Sequence, residues 1–146
     1  MHTNTPFTNI VLCVHSPMHK AYLKVMEHIC PNANSFMGYD VEADQDPSFL
    51  VDKIYKDIKF DIKEGNSVLI LTDLIGATPY NISKEVVSKL QKDGVDADLI
   101  SGINMGIVLT ALGSQSLPFQ ELKLKIIESG RKCMKLASED LKDTVN

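Results

Sequence analysis

The chain has 146 residues, of which 44% are hydrophobic and 23% charged, and its formal net charge is −4. That balance allows a packed core and excludes a disordered or fibrous chain. No Lys/Arg stripe stands out and no apolar run is long enough to span a bilayer, so neither nucleic acid nor membrane is an expected partner.

The first residues, Met1 to Thr8, are polar and lack the basic flank and apolar stretch of a signal peptide, so a cytoplasmic protein is expected. One domain over 1–146 is expected, with 1–7 and 139–146 as flexible tails. Ile10-Val11-Leu12-Cys13-Val14 is a short continuous apolar run, as in a strand buried on both faces. Met18, Ala21, Tyr22, Val25, Met26 and Ile29 follow at helical spacing, and Pro31-Asn32-Ala33-Asn34 ends that helix. Ser35 to Val41 reads as a weaker strand. Asp46-Pro47 opens a second helix with Leu50, Val51, Ile54, Tyr55 and Ile58 inward.

Gly65-Asn66 is a turn signal, and Val68-Leu69-Ile70-Leu71 is the strongest strand. A third helix starts at Pro79, points Ile82, Val86, Val87 and Leu90 inward, and stops at Lys92-Asp93-Gly94 with a C-terminal glycine. Ala97 to Ser101 is the fourth strand. A short helix follows Asn104. A long one is expected from Pro118 to Ala137, with Phe119, Leu122, Ile126, Cys133 and Ala137 inward, before a polar tail from Ser138.

Buried strands alternating with amphipathic helices predict an α/β fold of three layers. Its centre is a doubly wound, mostly parallel four-stranded sheet flanked by helices. Cys13, Cys30 and Cys133 are odd in number and far apart, which fits neither a disulfide framework nor a zinc site. Cys13 and Cys133 read as buried thiols, and Met18, Met26 and Met134 as core filler. Lys123, Lys125, Arg131, Lys132 and Lys135 read as a solvated face, with Arg131 alternatively facing a partner or the site. His19 and His28 read as exposed helix residues, and His2 as part of the tail.

Doubly wound sheets bind ligands beyond the carboxyl ends of their strands. Three loops lie there: His15-Ser16-Pro17, Asp73 to Pro79, and Ser101-Gly102-Ile103-Asn104. Ser16-Pro17 and Thr78-Pro79 each offer a helix-capping hydroxyl before a proline, and Asn104 can cap in the same way. Three helix N-termini would then face one crevice, with free N–H groups and positive dipole ends that attract an anion such as phosphate. A lone strand-end histidine is often only a polar loop residue. If the first and third strands are neighbours, however, Asp73 can bond one nitrogen of His15 and leave the other as a nucleophile. Phosphoryl transfer needs mostly positioning and charge stabilisation, and it needs no metal or other cofactor here if the donor is already a phosphohistidine.

Val68 to Asn81, an apolar strand ending in Asp73 and running into Gly76-Ala77-Thr78-Pro79-Tyr80-Asn81, resembles the signature of mannose/fructose-type EIIA domains of the bacterial phosphotransferase system. The strand ending in His15 resembles that family's phosphorylated segment. Ser101-Gly102-Ile103-Asn104 and Glu128-Ser129-Gly130-Arg131 resemble two further segments, in the same order. The resemblance implies that His15 takes a phosphoryl group from the carrier protein HPr and passes it to an EIIB domain for sugar uptake. Asp73 would orient the imidazole. Thr78, Ser16 and Ala77 would bind the phosphoryl group, and Asn104 and Gly76 would shape the rim. A homodimer is also implied. Val14-His15-Ser16 replaces the usual Thr-His-Gly, and Gly106 replaces a proline.

Two other functions compete. One is a regulatory stand-alone domain, in which a phosphoryl group adding about −1.5 to −2 charges changes binding to a partner protein. The other is the phosphocarrier subunit of a dihydroxyacetone kinase, which His15-Ser16 favours and the Asp73–Asn81 block disfavours. A receiver domain would need acids where His15 stands. A flavodoxin would need a longer phosphate loop than His15-Ser16-Pro17-Met18.

Overall fold

A computed structural model describes residues 5–31 and 36–143. Its elements are β1 (Thr8–His15), α1 (Met18–Ile29), β2 (Met37–Val41), α2 (Pro47–Asp61), β3 (Ser67–Thr72), α3 (Thr78–Lys92), β4 (Ala97–Ser101), α4 (Met105–Gly113), α5 (Phe119–Lys132) and α6 (Ala137–Asp143). The strands form one sheet in the order β2-β1-β3-β4, and every pair is parallel. The expected break at Asn32-Ala33-Asn34 and the strand start at Ser35 lie outside the described residues.

Strand alternation divides the core in two. Val11, Cys13, Val68 and Ile70 pack under α2 and α3, against Leu50, Val51, Ile54, Ile58, Ile82, Val86, Val87 and Leu90. Ile10, Leu12, Val14, Leu69 and Leu71 pack on the other face with Ile107, Val108, Ala111, Leu122 and Ile126 of α4 and α5. All six residues of β3 are buried, which is why this strand reads as an unbroken apolar run. Each such fully buried aliphatic side chain contributes roughly 1.5–3 kcal/mol relative to exposure. Among the described residues, no helix is long and apolar enough to cross a membrane.

Helix ends follow local chemistry. Asp46 caps α2 by accepting from the Ser48 N–H, with Pro47 in the first turn. Gly94, at φ +82°, follows α3 in the left-handed conformation that a C-terminal glycine permits.

Several sequence expectations change. Helix α5 stops at Lys132 instead of reaching Ala137, and residues 131–140 are all exposed. Ile126 is the last aliphatic side chain of α5 to be buried, so the periodicity continues beyond the layer that could cover it. Cys133 is consequently an exposed thiol, and Met134 is 77% exposed and no core filler. The expected polar tail contains α6. On α1 only Met26 is buried, whereas Ala21, Val25 and Ile29 face outward. Lys123 leaves the solvated face, paired with Asp98 at 2.9 Å and lying over the Phe119 ring.

The α4–α5 contact explains the Glu128-Ser129-Gly130-Arg131 stretch. Gly130 is buried, and a Cβ there would lie 2.7 Å from Cδ1 and Cγ1 of Ile107. Thr110 and Ser129 hydroxyls meet at 2.7 Å beside it. In a helix interior, Gly→Ala ordinarily gains about 1 kcal/mol. Overpacking a core costs about 1–3 kcal/mol, so crowding should win at this position. Gly130→Ala should therefore lower the urea midpoint without changing the slope, while Gly113→Ala, which meets nothing within 4 Å, should not. A raised midpoint for Gly130→Ala would contradict this close packing.

Candidate functional site

His15 is the last residue of β1, between β2 and β3. From β1 the chain crosses to β2 on one side, then back to β3 and β4 on the other. The carboxyl ends of β1 and β3 therefore flank the point where the winding reverses, the place where such sheets leave a crevice. Asp73 follows β3 directly. Its Oδ2 lies 2.6 Å from His15 Nδ1 and also accepts from the His15 backbone N–H at 3.4 Å. A carboxylate only accepts, so Nδ1 carries the proton and Nε2 keeps its lone pair. The imidazole is 46% exposed and the carboxylate 12%, so the ring is reachable while its partner is covered.

The loop after Asp73 is built as a tight turn. Gly76 adopts φ +82°, a conformation that costs glycine little, and Asn81 Nδ2 donates to its carbonyl. The Ala77 N–H donates to Leu74 O, so it is already used by the turn. Helix α3 begins at Thr78, with Pro79 in its first turn and no side chain capping its end. Thr78 is thus the first helical residue and not the cap. Its exposed hydroxyl stands at an open, positive helix terminus.

Of the three helix N-termini expected to face the crevice with free N–H groups, those of α1 and α4 are closed, and the start of α3 is the open one. At α1, Asp40 of β2 accepts from the His19 N–H at 2.7 Å and the Lys20 N–H at 3.2 Å. A carboxylate already occupies the place an anion would take. At α4, Asn104 Oδ1 accepts from the Ile107 N–H, and its Nδ2 donates to Gly130 O. Asn104 therefore caps as expected and ties α4 to α5. Ser16 does not cap α1: Pro17 holds that position, and the Ser16 hydroxyl donates to Glu42 Oε1 at 2.7 Å.

The structure brings His15 and Asp73 together and places Gly76 on the adjoining loop and Thr78 at the first position of α3. It engages Ser16 and Ala77 elsewhere. Asp40, Glu42 and Asn81 were not singled out by the sequence. Asn81 alone had a local signal, since it closes the Gly76–Asn81 block. His19 is also more than an exposed residue. Its ring meets Phe36 edge-on, bonds Phe36 O at 3.2 Å, and fills the space over Gly38 that a Cβ would need.

Cys13 offers no competing nucleophile. Burial pushes its thiol up to about 11, leaving it neutral at physiological pH, and its Sγ rests on Pro79 O.

The sequence profile of the PTS system fructose IIA component family matches residues 9–126, a span that includes His15 and Asp73. The chain belongs to that family. It is 30% identical over 114 residues to the PTS system sorbose-specific EIIA component of Lacticaseibacillus casei, covering 77% of this chain and 78% of that protein. It is 29% identical over 93 residues to the PTS system fructose-specific EIIA component of Bacillus subtilis (strain 168), covering 63% of this chain and 60% of that one. The fold is shared with the phosphotransferase system component EIIA from Streptococcus agalactiae, at TM-score 0.78 and 22% identity over 90% of this chain and 98% of that one. The mannose/sorbose specific IIA subunit from Enterococcus faecalis superposes at TM-score 0.76 and 18% identity, over 89% and 94% of the two chains.

For this EIIA-type site, nitrogen NMR offers a direct check. Neutral His15 should be the Nδ1–H tautomer, and Asp73→Ala should abolish that preference. Predominance of the Nε2–H tautomer in the native protein would contradict the observed pairing.

Proposed function

We propose that the chain is a phosphocarrier that accepts a phosphoryl group from phosphorylated HPr on His15 and passes it to an EIIB partner for sugar uptake. The observation that carries this reading is the His15 Nδ1–Asp73 Oδ2 contact of 2.6 Å at the carboxyl edge of the sheet, beside an uncapped helix end. Membership of the family supports the choice of donor and acceptor. The names of the sorbose- and fructose-specific relatives point to a sugar-linked system.

The chemistry follows from the geometry. Nε2 of His15 attacks phosphorus as the donor's N–P bond breaks, and the phosphoryl group passes in line between two nitrogens. The attacking ring gains positive charge, and the Asp73 carboxylate offsets it through Nδ1–H. In this reading the Thr78 hydroxyl and N–H, at the positive end of α3, bind the phosphoryl oxygens. Transfer to EIIB reverses the steps. The reading includes operation in the cytoplasm and as a homodimer.

Incubation with phosphoenolpyruvate, enzyme I and HPr should label the wild-type protein with acid-labile phosphate, and His15→Ala should take none. Asp73→Ala should fold and still take label, but roughly tenfold or more slowly, because misorienting a nucleophile is costly. Labelling of His15→Ala at the wild-type level would overturn the reading. Equal rates for Asp73→Ala and wild type would remove the orienting role.

A further inference from the structure

The end of the edge strand β2 and the residue after it hold the segment that carries the nucleophile at three consecutive positions. Asp40 binds the first N–H groups of α1. Val41, 5% exposed and paired in register with His15, accepts from the Ser16 N–H at 3.1 Å. Glu42 accepts from the Ser16 hydroxyl at 2.7 Å. Glu42 is in turn held in place, because its own N–H donates to Gln45 Oε1 at 2.8 Å and its carbonyl accepts from the Gln45 N–H. On the opposite side, the His15 N–H donates to Asp73. The backbone at His15–Ser16 is thus fixed between the ends of two different strands. Two of the bonds at this segment, to Glu42 and to Asp73, are charge-assisted, the stronger class of hydrogen bond.

We propose that Glu42 is a positioning residue of the phosphoryl-transfer site, acting through Ser16. Its carboxylate holds the Ser16 hydroxyl on the β2 side. This keeps the His15 main chain where Nδ1 meets Asp73 and Nε2 points outward. It also directs that hydroxyl away from the incoming phosphoryl group, leaving the Thr78 end of α3 to bind the oxygens. This role replaces the phosphate-binding role that the sequence assigns to Ser16. It accounts for a serine following the histidine where the resemblance expects glycine. A glycine offers no hydroxyl for a carboxylate to hold.

The inference rests on the phosphocarrier reading, and one experiment separates the two. Phosphoryl transfer from phosphorylated HPr is followed at varied donor concentration for wild type, Glu42→Ala, Glu42→Gln, Ser16→Ala and the Glu42→Ala/Ser16→Ala double variant. Glu42→Ala should lower kcat by roughly tenfold with KM unchanged, because a small misplacement of the nucleophile slows the chemical step and leaves docking alone. Glu42→Gln keeps an acceptor oxygen and should recover most of the rate. In the Ser16→Ala background, Glu42→Ala should add nothing, since residues acting through one contact are not additive. Three results would each overturn the proposal: an unchanged kcat for Glu42→Ala, a rise in KM alone, or an undiminished effect of Glu42→Ala in the Ser16→Ala protein. If Glu42→Ala fails to fold, the Ser16→Ala and Glu42→Gln rates decide: a slowed Ser16→Ala with a near-normal Glu42→Gln supports the clamp, and any other pair overturns it. A wild type that accepts no phosphoryl group overturns the phosphocarrier reading itself, and this inference with it.

Discussion

The site depends on one hydrogen bond between the ends of two adjacent parallel strands, from the His15 imidazole to the Asp73 carboxylate. The two residues are far apart in sequence, and neither strand alone could create the contact. It requires β1 and β3 to be neighbours, to run the same way, and to be in register from Thr8↔Ser67 to Leu12↔Leu71. A slip of one residue would turn every β1 side chain to the opposite face of the sheet. The two-sided core prevents that slip, because Val11 and Cys13 fit under one helical layer while Leu12 and Val14 fit under the other. Core packing and the geometry of the His15–Asp73 pair are therefore the same constraint at two levels.

The edge of the sheet also sorts its helix dipoles. Four helices, α1 to α4, begin near the carboxyl ends of the strands, and each could attract an anion. Asp40 neutralises the start of α1, Asp46 caps α2, and Asn104 satisfies the start of α4. Helix α3 has no such cap, and it follows directly on the loop that carries Asp73. Closing three ends and leaving one open concentrates the attraction for an anion at a single place. With an alanine at the cap position and a proline in the first turn, α3 begins without giving up that place to one of its own side chains.

Much of this was legible in the sequence because it is written locally. Continuous apolar runs mark strands buried on both faces, and β3 and β4 fall within a residue of where the runs place them. His15 and Asp73 each end such a run, so strand adjacency alone predicts their meeting. Asp40 and Glu42 were illegible for the opposite reason. They act across strands on residues twenty or more positions away, and a short edge strand of mixed burial gives little pattern to anchor them. Periodicity likewise marks a helical face without saying whether anything covers it. On α1, Val25 and Ile29 keep the spacing and stay exposed, while His19, off that stripe, is packed against Phe36. The overrun of α5 to Ala137 is the same error at a helix end.

The pairing of Nδ1 with Asp73 commits the chemistry to the other ring nitrogen. The most direct measurement is therefore phosphorus–nitrogen NMR on the nitrogen-labelled, phosphorylated protein, to identify the atom that carries the phosphoryl group. Phosphorus coupled to Nε2 of His15 is the expected result. Phosphorus on Nδ1, on another histidine or on an oxygen would contradict the account.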